Sequence, residues 1–240
     1  MKESKIEWTN DTWNPWHGCK KVSPGCKNCY MYRDKARYGQ DGAIVRRAAP
    51  ATFNAPLKKL KGPFVFTCSW SDFFIEEADD WREDAWDIIR KTPHLTYQIL
   101  TKRPERILAN LPYDWAEGWN NVWLGVSVES AKYQHRILML EEVPAQIRFL
   151  SAEPLLGPLD LVSDLFHERI DWVITGGESG PGFRPAQESW FLDIAQQCRG
   201  YSIPFFHKQN GGTRRIDGVA GGRELAGRIC HEMPRIIKGR

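Results

Sequence analysis

The sequence predicts an α/β protein built as a full or partial TIM-like (β/α) barrel of about six to seven parallel strands. Six runs of apolar, β-branched and aromatic residues each end abruptly in polar residues. These polar ends recur at a spacing of roughly 24 to 33 residues, the length of one strand and one helix together. None of the runs alternates between apolar and polar residues, which is typical of parallel strands buried on both faces. A flat, doubly wound sheet is the alternative, because a sequence does not show whether a sheet closes.

The predicted strands occupy the six runs, and a further strand just before Cys19 would make the seventh. The runs lie at 63–72, 95–104, 121–130, 147–154, 171–180 and 203–212. No stretch rich in proline, glycine or serine divides the chain. We therefore expect one domain over residues 1–240, with a cysteine-bearing loop at 13–30.

Helical patterns lie between the predicted strands, at 79–91, 104–111, 130–143 and 188–200. The first has acidic residues in its opening turn and apolar residues along one face. Pro104 suits the first turn of the second helix. Ser130 is placed to cap the third helix, and Gly200 is placed to follow the end of the fourth.

The composition is that of a globular protein without a membrane span. Hydrophobic residues make up 42% of the chain and charged residues 26%, and the net charge is +3. No apolar run approaches the roughly 18–20 residues needed to cross a bilayer, and the first residues lack the apolar segment of a signal peptide. We therefore expect a cytoplasmic protein with no membrane partner. Its six cysteines then serve metal binding or redox chemistry rather than disulfides.

Three of the cysteines lie close together among polar residues and glycines. Cys19, Cys26 and Cys29 form a C-x6-C-x2-C pattern. Two residues between Cys26 and Cys29 let both thiolates reach one metal centre. The pattern suits a zinc ion with His17 or Cys68 as fourth ligand, or a [4Fe–4S] cluster held by only three cysteines.

Polar and charged residues follow nearly every predicted strand. The carboxyl ends of parallel strands meet at one edge of the sheet, where active sites of such proteins lie. We therefore expect these residues to line one functional crater. The candidates for catalysis are Asp72, Lys102, Glu129, Glu153 and Lys208, and the candidate for cofactor binding is Ser127.

The cysteine cluster ahead of the first barrel helix, followed by strand–helix units, resembles the radical S-adenosylmethionine enzymes. In that family three cysteines hold a [4Fe–4S] cluster whose open iron binds the amino and carboxylate groups of the methionine moiety. The segment TGGESG at 175–180 resembles the Gly-Gly-Glu segment that contacts the methionine amino group. The resemblance implies a [4Fe–4S] cluster and S-adenosylmethionine as cofactors. The residues it implies are Cys19, Cys26 and Cys29 for the cluster, and Gly176, Gly177 and Glu178 for the cofactor.

Seven blocks along nearly the whole chain also resemble, in order, an uncharacterised phage three-cysteine-motif family. They are TWNPWHGCKKVSPGCKNCY, CSWSDFF, LTKRPER, LGVSVES, FLSAEPLLGPLDL, ITGGESGPGFRP and FFHKQNGG. Members of that family are often encoded beside a three-Cys-motif partner protein. The resemblance implies a role in phage or mobile-element biology and that protein as a partner, but no particular substrate.

Two functions follow from these patterns. The first is a radical S-adenosylmethionine-type enzyme that acts on a nucleic acid or nucleotide and needs an electron donor. The second is a zinc-stabilised nucleic-acid-binding protein without catalysis. Basic groups at 46–47, 58–61, 102–106 and 214–215 are candidate phosphate contacts for either. The sequence has neither a G-x4-G-K-[ST] phosphate loop nor a G-x-S-x-G motif, which argues against nucleotide hydrolysis and serine-hydrolase chemistry.

Overall fold

Seven parallel strands form one sheet in the computed structural model, which describes residues 4–235. Their bounds are β1 Asp11–Trp13, β2 Phe64–Thr67, β3 Thr96–Thr101, β4 Val122–Ser127, β5 Ile147–Ala152, β6 Trp172–Gly176 and β7 Phe205–Gln209. Each strand pairs with the next strand in the chain, and the sheet curls into a half-barrel. The predicted partial barrel is confirmed. A doubly wound sheet is excluded, because its strand order would have to reverse within the sheet.

Each of the six apolar runs contains one strand, and β1 is the further strand expected before Cys19. The strands are four to six residues long in these runs, shorter than the runs themselves. In the first five of these runs the charged residues at the end follow the strand and lie in the loops at the carboxyl edge of the sheet, whereas in the last run Lys208 still belongs to β7.

Six α-helices accompany the sheet within residues 4–235. Their bounds are α1 Tyr30–Arg37, α2 Pro50–Phe53, α3 Asp79–Lys91, α4 His135–Glu141, α5 Val162–Phe166 and α6 Glu188–Gly200. Helices α3 and α6 lie where the sequence predicts them. In α3 the acidic Asp79 and the basic Arg90 lie at the two ends that favour them, while Trp86 and Ile89 are buried against the sheet.

Three details of the helix predictions were wrong. The pattern at 104–111 forms two separate 3₁₀ turns, because Pro104 opens a turn and Pro112 follows too soon for a longer helix. Ser130 precedes a 3₁₀ turn rather than α4 itself and makes no side-chain cap. Gly200 is the last residue of α6 instead of following it, and Ser202 takes the left-handed conformation with φ of 58°.

The two faces of the sheet carry separate cores. One core packs between the sheet and the helices. The other is a mainly aromatic cluster inside the half-barrel, formed by Trp8, Phe66, Trp123, Phe149, Trp172, Ile174 and Phe206. Trp8 comes from the segment before β1, and its ring centroid lies 4.5 Å from that of Phe66 and 6.1 Å from that of Trp172. This cluster fills the interior of the half-barrel with side chains.

Segments near the two ends of the described residues, among them 6–8 and 231–233, pack across the open side of the half-barrel. The indole Nε1–H of Trp172 donates to the Glu232 carbonyl over 2.9 Å, and the Phe205 amide donates to the Glu232 carboxylate over 3.0 Å. Glu7 pairs with Arg223. Within residues 4–235, no helix is both long enough and apolar enough to span a membrane.

Candidate active site

A pocket of about 190 Å³ opens at the carboxyl edge of the sheet. Its walls come from the cysteine loop, from α1, from the residues that follow β3, β5 and β6, and from the last two residues of β7. The sequence-predicted residues that line it are Cys26, Cys29, Lys102, Glu153, Gly177, Glu178 and Lys208. The topology therefore brings two of the three cysteines together with five of the nine other candidates.

The cysteine loop is fixed over this edge by its own residues. Trp16 is fully buried, and its Nε1–H donates to the Asp72 carbonyl over 3.0 Å. Gly18 has a φ of 92° and donates its amide to the Trp70 carbonyl over 3.0 Å. A Cβ at Gly18 would lie 2.2 Å from the Ile44 carbonyl oxygen, so only glycine fits there.

The three thiols lie within electrostatic reach of one another. Burial, with a smaller effect of Asp72 and Cys26, raises the pKa of Cys19 to about 12. Burial raises the pKa of Cys29 too, and Cys26 adds to that rise. Burial and then all three cysteines raise the pKa of Tyr32 to about 12, and the Tyr32 hydroxyl donates to the Cys19 carbonyl. All three thiols are thus close enough to Tyr32 to raise its pKa.

The donor chemistry fits a metal centre, although the side chains are not yet arranged as ligands. Within residues 4–235, no three His, Cys, Asp or Glu side chains form a group that could hold a metal ion. The Cys19 sulfur instead faces the Lys20 carbonyl at 3.5 Å and the Arg103 Nη1 at 3.9 Å. Three soft sulfur donors from one loop, two of them on the pocket wall, nevertheless suit iron–sulfur or zinc binding.

Neither candidate for a fourth ligand is free in the loop. The His17 Nδ1 is 2.9 Å from the Lys35 Nζ, which donates to it. Cys68 is buried in the core beneath the loop, where burial holds its pKa well above the usual range. A centre held by the three cysteines alone leaves the contacts of His17 and Cys68 as they are. A four-ligand zinc site would require one of these two residues to give up its present contacts.

Asp72 lies beneath the pocket and does not line it. Its side chain is only 6% exposed. Its carboxylate accepts hydrogen bonds from the Thr101 hydroxyl at 2.7 Å, the Lys102 amide at 3.0 Å and the Arg103 Nη1 at 3.0 Å. The carboxylate is therefore saturated, and it orients the turn that carries Lys102 and Arg103.

Glu129 is buried as well, with a side chain that is 1% exposed. It forms ion pairs with the Lys102 Nζ at 3.2 Å and the Arg136 Nη1 at 3.0 Å, and it accepts a hydrogen bond from the Ser23 hydroxyl. Burial alone would raise its pKa, but Lys102, Ser23 and Arg136 lower it. Glu129 thus holds the cysteine loop down by its contact with Ser23.

Glu178 ties the loop after β6 to the cysteine loop. Its carboxylate accepts from the Arg184 Nε at 3.0 Å and amide at 2.8 Å, and from the Asn28 Nδ2 at 3.0 Å. Burial alone would raise its pKa, but these two residues lower it. Arg184 also donates to the Pro24 carbonyl over 2.9 Å. Although Glu178 lines the pocket, most of its hydrogen-bonding capacity is used by the protein.

Glu153 and Lys208 form the ion pair that faces the pocket, with Oε2 and Nζ 2.8 Å apart. Gly176 packs against this pair, since a Cβ there would lie 2.7 Å from the Glu153 Oε2. The Gly177 amide donates to the Gln209 carbonyl, and the Gly177 carbonyl accepts from the Gln209 Nε2. Ser127 is buried, and its carbonyl accepts from Arg136, so it does not line the pocket.

Arg33 is one of the pocket residues that the sequence analysis did not predict. It lies on α1 and donates from Nη1 to the Ser179 carbonyl over 2.9 Å. Its position four residues after Cys29 could have revealed it, because residues four apart share one face of a helix. Tyr30 and Asn28 also line the pocket and have the same signal, closeness to the cysteines in the chain.

Comparison with known proteins gives one match. Residues 3–234 match the family described as "Protein of unknown function (DUF5131)". No curated protein and no solved structure matches the chain.

Proposed function

The chain belongs to the DUF5131 family of proteins of unknown function, and we propose that it is a radical S-adenosylmethionine-type iron–sulfur enzyme. One observation carries the proposal: Cys26 and Cys29 share a pocket with the Glu153–Lys208 ion pair at the carboxyl edge of the half-barrel. This edge is where α/β folds of this kind place their chemistry. Thiols and an open pair of opposite charges suit an iron–sulfur centre beside a zwitterionic cofactor.

The proposal includes a substrate and partners. The enzyme acts on a nucleic acid or nucleotide in the cytoplasm, in the setting of a phage or mobile element. It requires an electron donor, and the three-Cys-motif partner protein is its proposed protein partner. The basic and aromatic residues near the pocket, among them Arg33 and Tyr30, support a substrate with phosphates and bases.

Cys19, Cys26 and Cys29 would hold the [4Fe–4S] cluster. When bound, the cluster supplies the electron for reductive cleavage of S-adenosylmethionine. The Glu153 carboxylate and the Lys208 ammonium bind the amino and carboxylate groups of that cofactor, because they are the opposite charges that open to the pocket. Glu178 contributes by fixing Asn28 and Arg184 beside the cysteine loop.

Metal analysis after anaerobic purification tests the proposal. About four irons and a matching amount of sulfide per chain, with broad absorbance near ~400 nm, are expected for the wild type. Changing Cys19, Cys26 or Cys29 to Ala should abolish iron loading. Cys198→Ala and Cys230→Ala are the matched controls, since both residues lie outside the loop, and should keep it.

Two results contradict this reading. Wild-type iron in Cys26→Ala would remove that residue from the site. One zinc and no iron per chain would exclude the cluster and favour the zinc-stabilised nucleic-acid-binding protein instead.

A further inference from the structure

Cationic side chains outnumber carboxylates around the pocket. Three of the cations line the pocket, namely Arg33, Lys102 and Lys208, and so do two carboxylates, Glu153 and Glu178. Arg184 pairs with Glu178, and the buried Glu129 pairs with both Lys102 and Arg136, so the whole network has five cations and three carboxylates. Two positive charges are therefore left over within the described part of the chain. Because an uncompensated charge in a partly buried site is costly, this surplus favours a bound anion.

The first surplus charge belongs to Arg33. Its one hydrogen bond within residues 4–235 runs to the Ser179 carbonyl, and it forms no ion pair there. The guanidinium packs against Gly180, where a Cβ would lie 2.1 Å from Nη1. Arg33 is thus held in one orientation on the pocket wall while its other N–H donors stay open.

The second surplus charge belongs to Lys102. Its Nζ shares the Glu129 carboxylate with Arg136, so one negative charge serves two cations. The Lys102 side chain is only 18% exposed, and it lines the same pocket as Arg33. Water therefore compensates its charge poorly, and an anion in the pocket would compensate it better.

We propose that Arg33 and Lys102 bind the terminal phosphate of the substrate, which makes the substrate a nucleotide with a phosphate monoester. A phosphate monoester carries a charge of about −1.5 to −2 at pH 7, which matches the two surplus charges. A guanidinium with open N–H donors binds two phosphate oxygens at once, and an ammonium adds a point charge. This inference rests on the proposed function, which makes the substrate a nucleic acid or nucleotide. It narrows that substrate to a nucleotide with a phosphate monoester.

Isothermal titration of the anaerobically purified protein tests the assignment. The probes are the four ribonucleoside 5′-monophosphates and their four nucleosides. At least one monophosphate should bind about tenfold or more tightly than its nucleoside. Arg33→Gln and Lys102→Met should abolish that preference. Arg37→Gln is the matched control, because Arg37 lies one turn further along α1 and pairs with Asp34 at the surface, and it should keep the preference.

Three results would overturn the assignment: no monophosphate is preferred, Arg33→Gln keeps the preference, or Arg37→Gln loses it equally. A dependence on Arg33 seen for S-adenosylmethionine but for no monophosphate would assign the anion to the cofactor, which also overturns it. Iron analysis of the same samples separates the two proposals. A protein that prefers the monophosphate but contains no iron contradicts the enzyme proposal and supports the phosphate site. A protein that contains iron but does not prefer the monophosphate supports the enzyme proposal and contradicts the phosphate site.

Discussion

At the residue scale, two glutamates that follow neighbouring strands have opposite surroundings. Glu129, after β4, is buried between Lys102 and Arg136. Glu153, after β5, pairs with Lys208 at the open pocket. The first carboxylate compensates buried charge and holds the cysteine loop, whereas the second is available to a ligand.

Glu129→Gln should therefore destabilise the protein severely. The change leaves Lys102 and Arg136 buried without a negative partner, at a cost of about 3–5 kcal/mol. Urea denaturation followed by tryptophan fluorescence measures the loss. Glu153→Gln, whose partner Lys208 is 29% exposed, should lose about 1 kcal/mol or less. Equal losses in the two variants would show that Glu129 is not the central charge of a buried network.

Glu153→Gln should instead abolish function. The substitution keeps the shape of the side chain and removes the charge that pairs with Lys208 in the pocket. We expect affinity for S-adenosylmethionine or its cleavage to fall at least tenfold while the circular dichroism spectrum is unchanged. Glu117→Gln, at an exposed position, is the control. A fully active Glu153→Gln variant would exclude Glu153 from cofactor binding.

At the scale of the elements, β7 carries a buried histidine on the face that packs against α6. The Asn210 amide Nδ2 donates to the carbonyls of Gly221 and Glu224, so its Oδ1 accepts from the His207 Nε2, 3.0 Å away. The His207 Nδ1 then accepts from the Thr175 hydroxyl over 2.9 Å. This network holds the imidazole neutral.

The stability of the protein should fall as the pH falls below about 6.5. Burial lowers the pKa of His207 from 6.5 to about 4. Between pH 6.5 and 4, His207 is therefore protonated in the unfolded chain but neutral in the folded chain. The free energy of unfolding falls by up to about 3 kcal/mol over this range. Urea denaturation at pH 7, 6, 5 and 4 measures the slope.

His207→Gln should make this slope shallower, because glutamine does not titrate in that range. His135→Gln, at an exposed position on α4, should leave the slope unchanged. If His207→Gln and the wild type lose the same stability over this range, the titration of His207 does not govern it.

The strands were predictable because each is a continuous apolar run that ends in polar residues. The convergence of Lys102, Glu153 and Lys208 was predictable for the same reason, since parallel strands end at one edge. The helix predicted at 104–111 failed because apolar spacing does not reveal how early a proline ends a segment. The local sequence pattern thus predicts whether a segment forms a strand or a helix, but it does not predict the exact length of the element.

The sequence did not predict which carboxylates are held in internal contacts and which one is open to the pocket. Asp72, Glu129 and Glu178 look like Glu153 in the sequence, each near a strand end. What separates them is a cation delivered by another segment, for example Arg136 from α4 to Glu129. Such a pairing depends on the packing of helix against sheet, which no local pattern records.

At the scale of the whole molecule, an incomplete barrel has an exposed interior, and the C-terminal segment covers part of it. His231 stacks on Phe206 with ring centroids 4.6 Å apart, and Met233 packs against the aromatic cluster inside the half-barrel. Glu232 accepts hydrogen bonds from Trp172 and Phe205. These contacts replace the strand pairing that a closed barrel would supply.

Removal of residues 231–240 should therefore destabilise the fold. The loss of the Met233 and His231 packing and of the Glu232 hydrogen bonds costs at least about 2 kcal/mol, which lowers Tm by about 4–8 °C. Differential scanning calorimetry measures the shift. A chain ending at residue 235 keeps all the contacts described and is the control. An unchanged Tm after the longer truncation would show that the segment does not stabilise the barrel.

The tie between Asn28 and Glu178 has a consequence for the order in which the protein is made. The two residues are 150 positions apart, and Arg184 reaches back to Pro24 across 160. At a synthesis rate of about 5–20 residues per second, the cysteine loop leaves the ribosome roughly 8–30 s before the loop after β6, which carries Glu178 and Arg184. During that interval its thiols are open to oxidation and to chance metals. Until the fold is complete, the thiols of the nascent chain are kept reduced by the cell and not by burial in the folded protein.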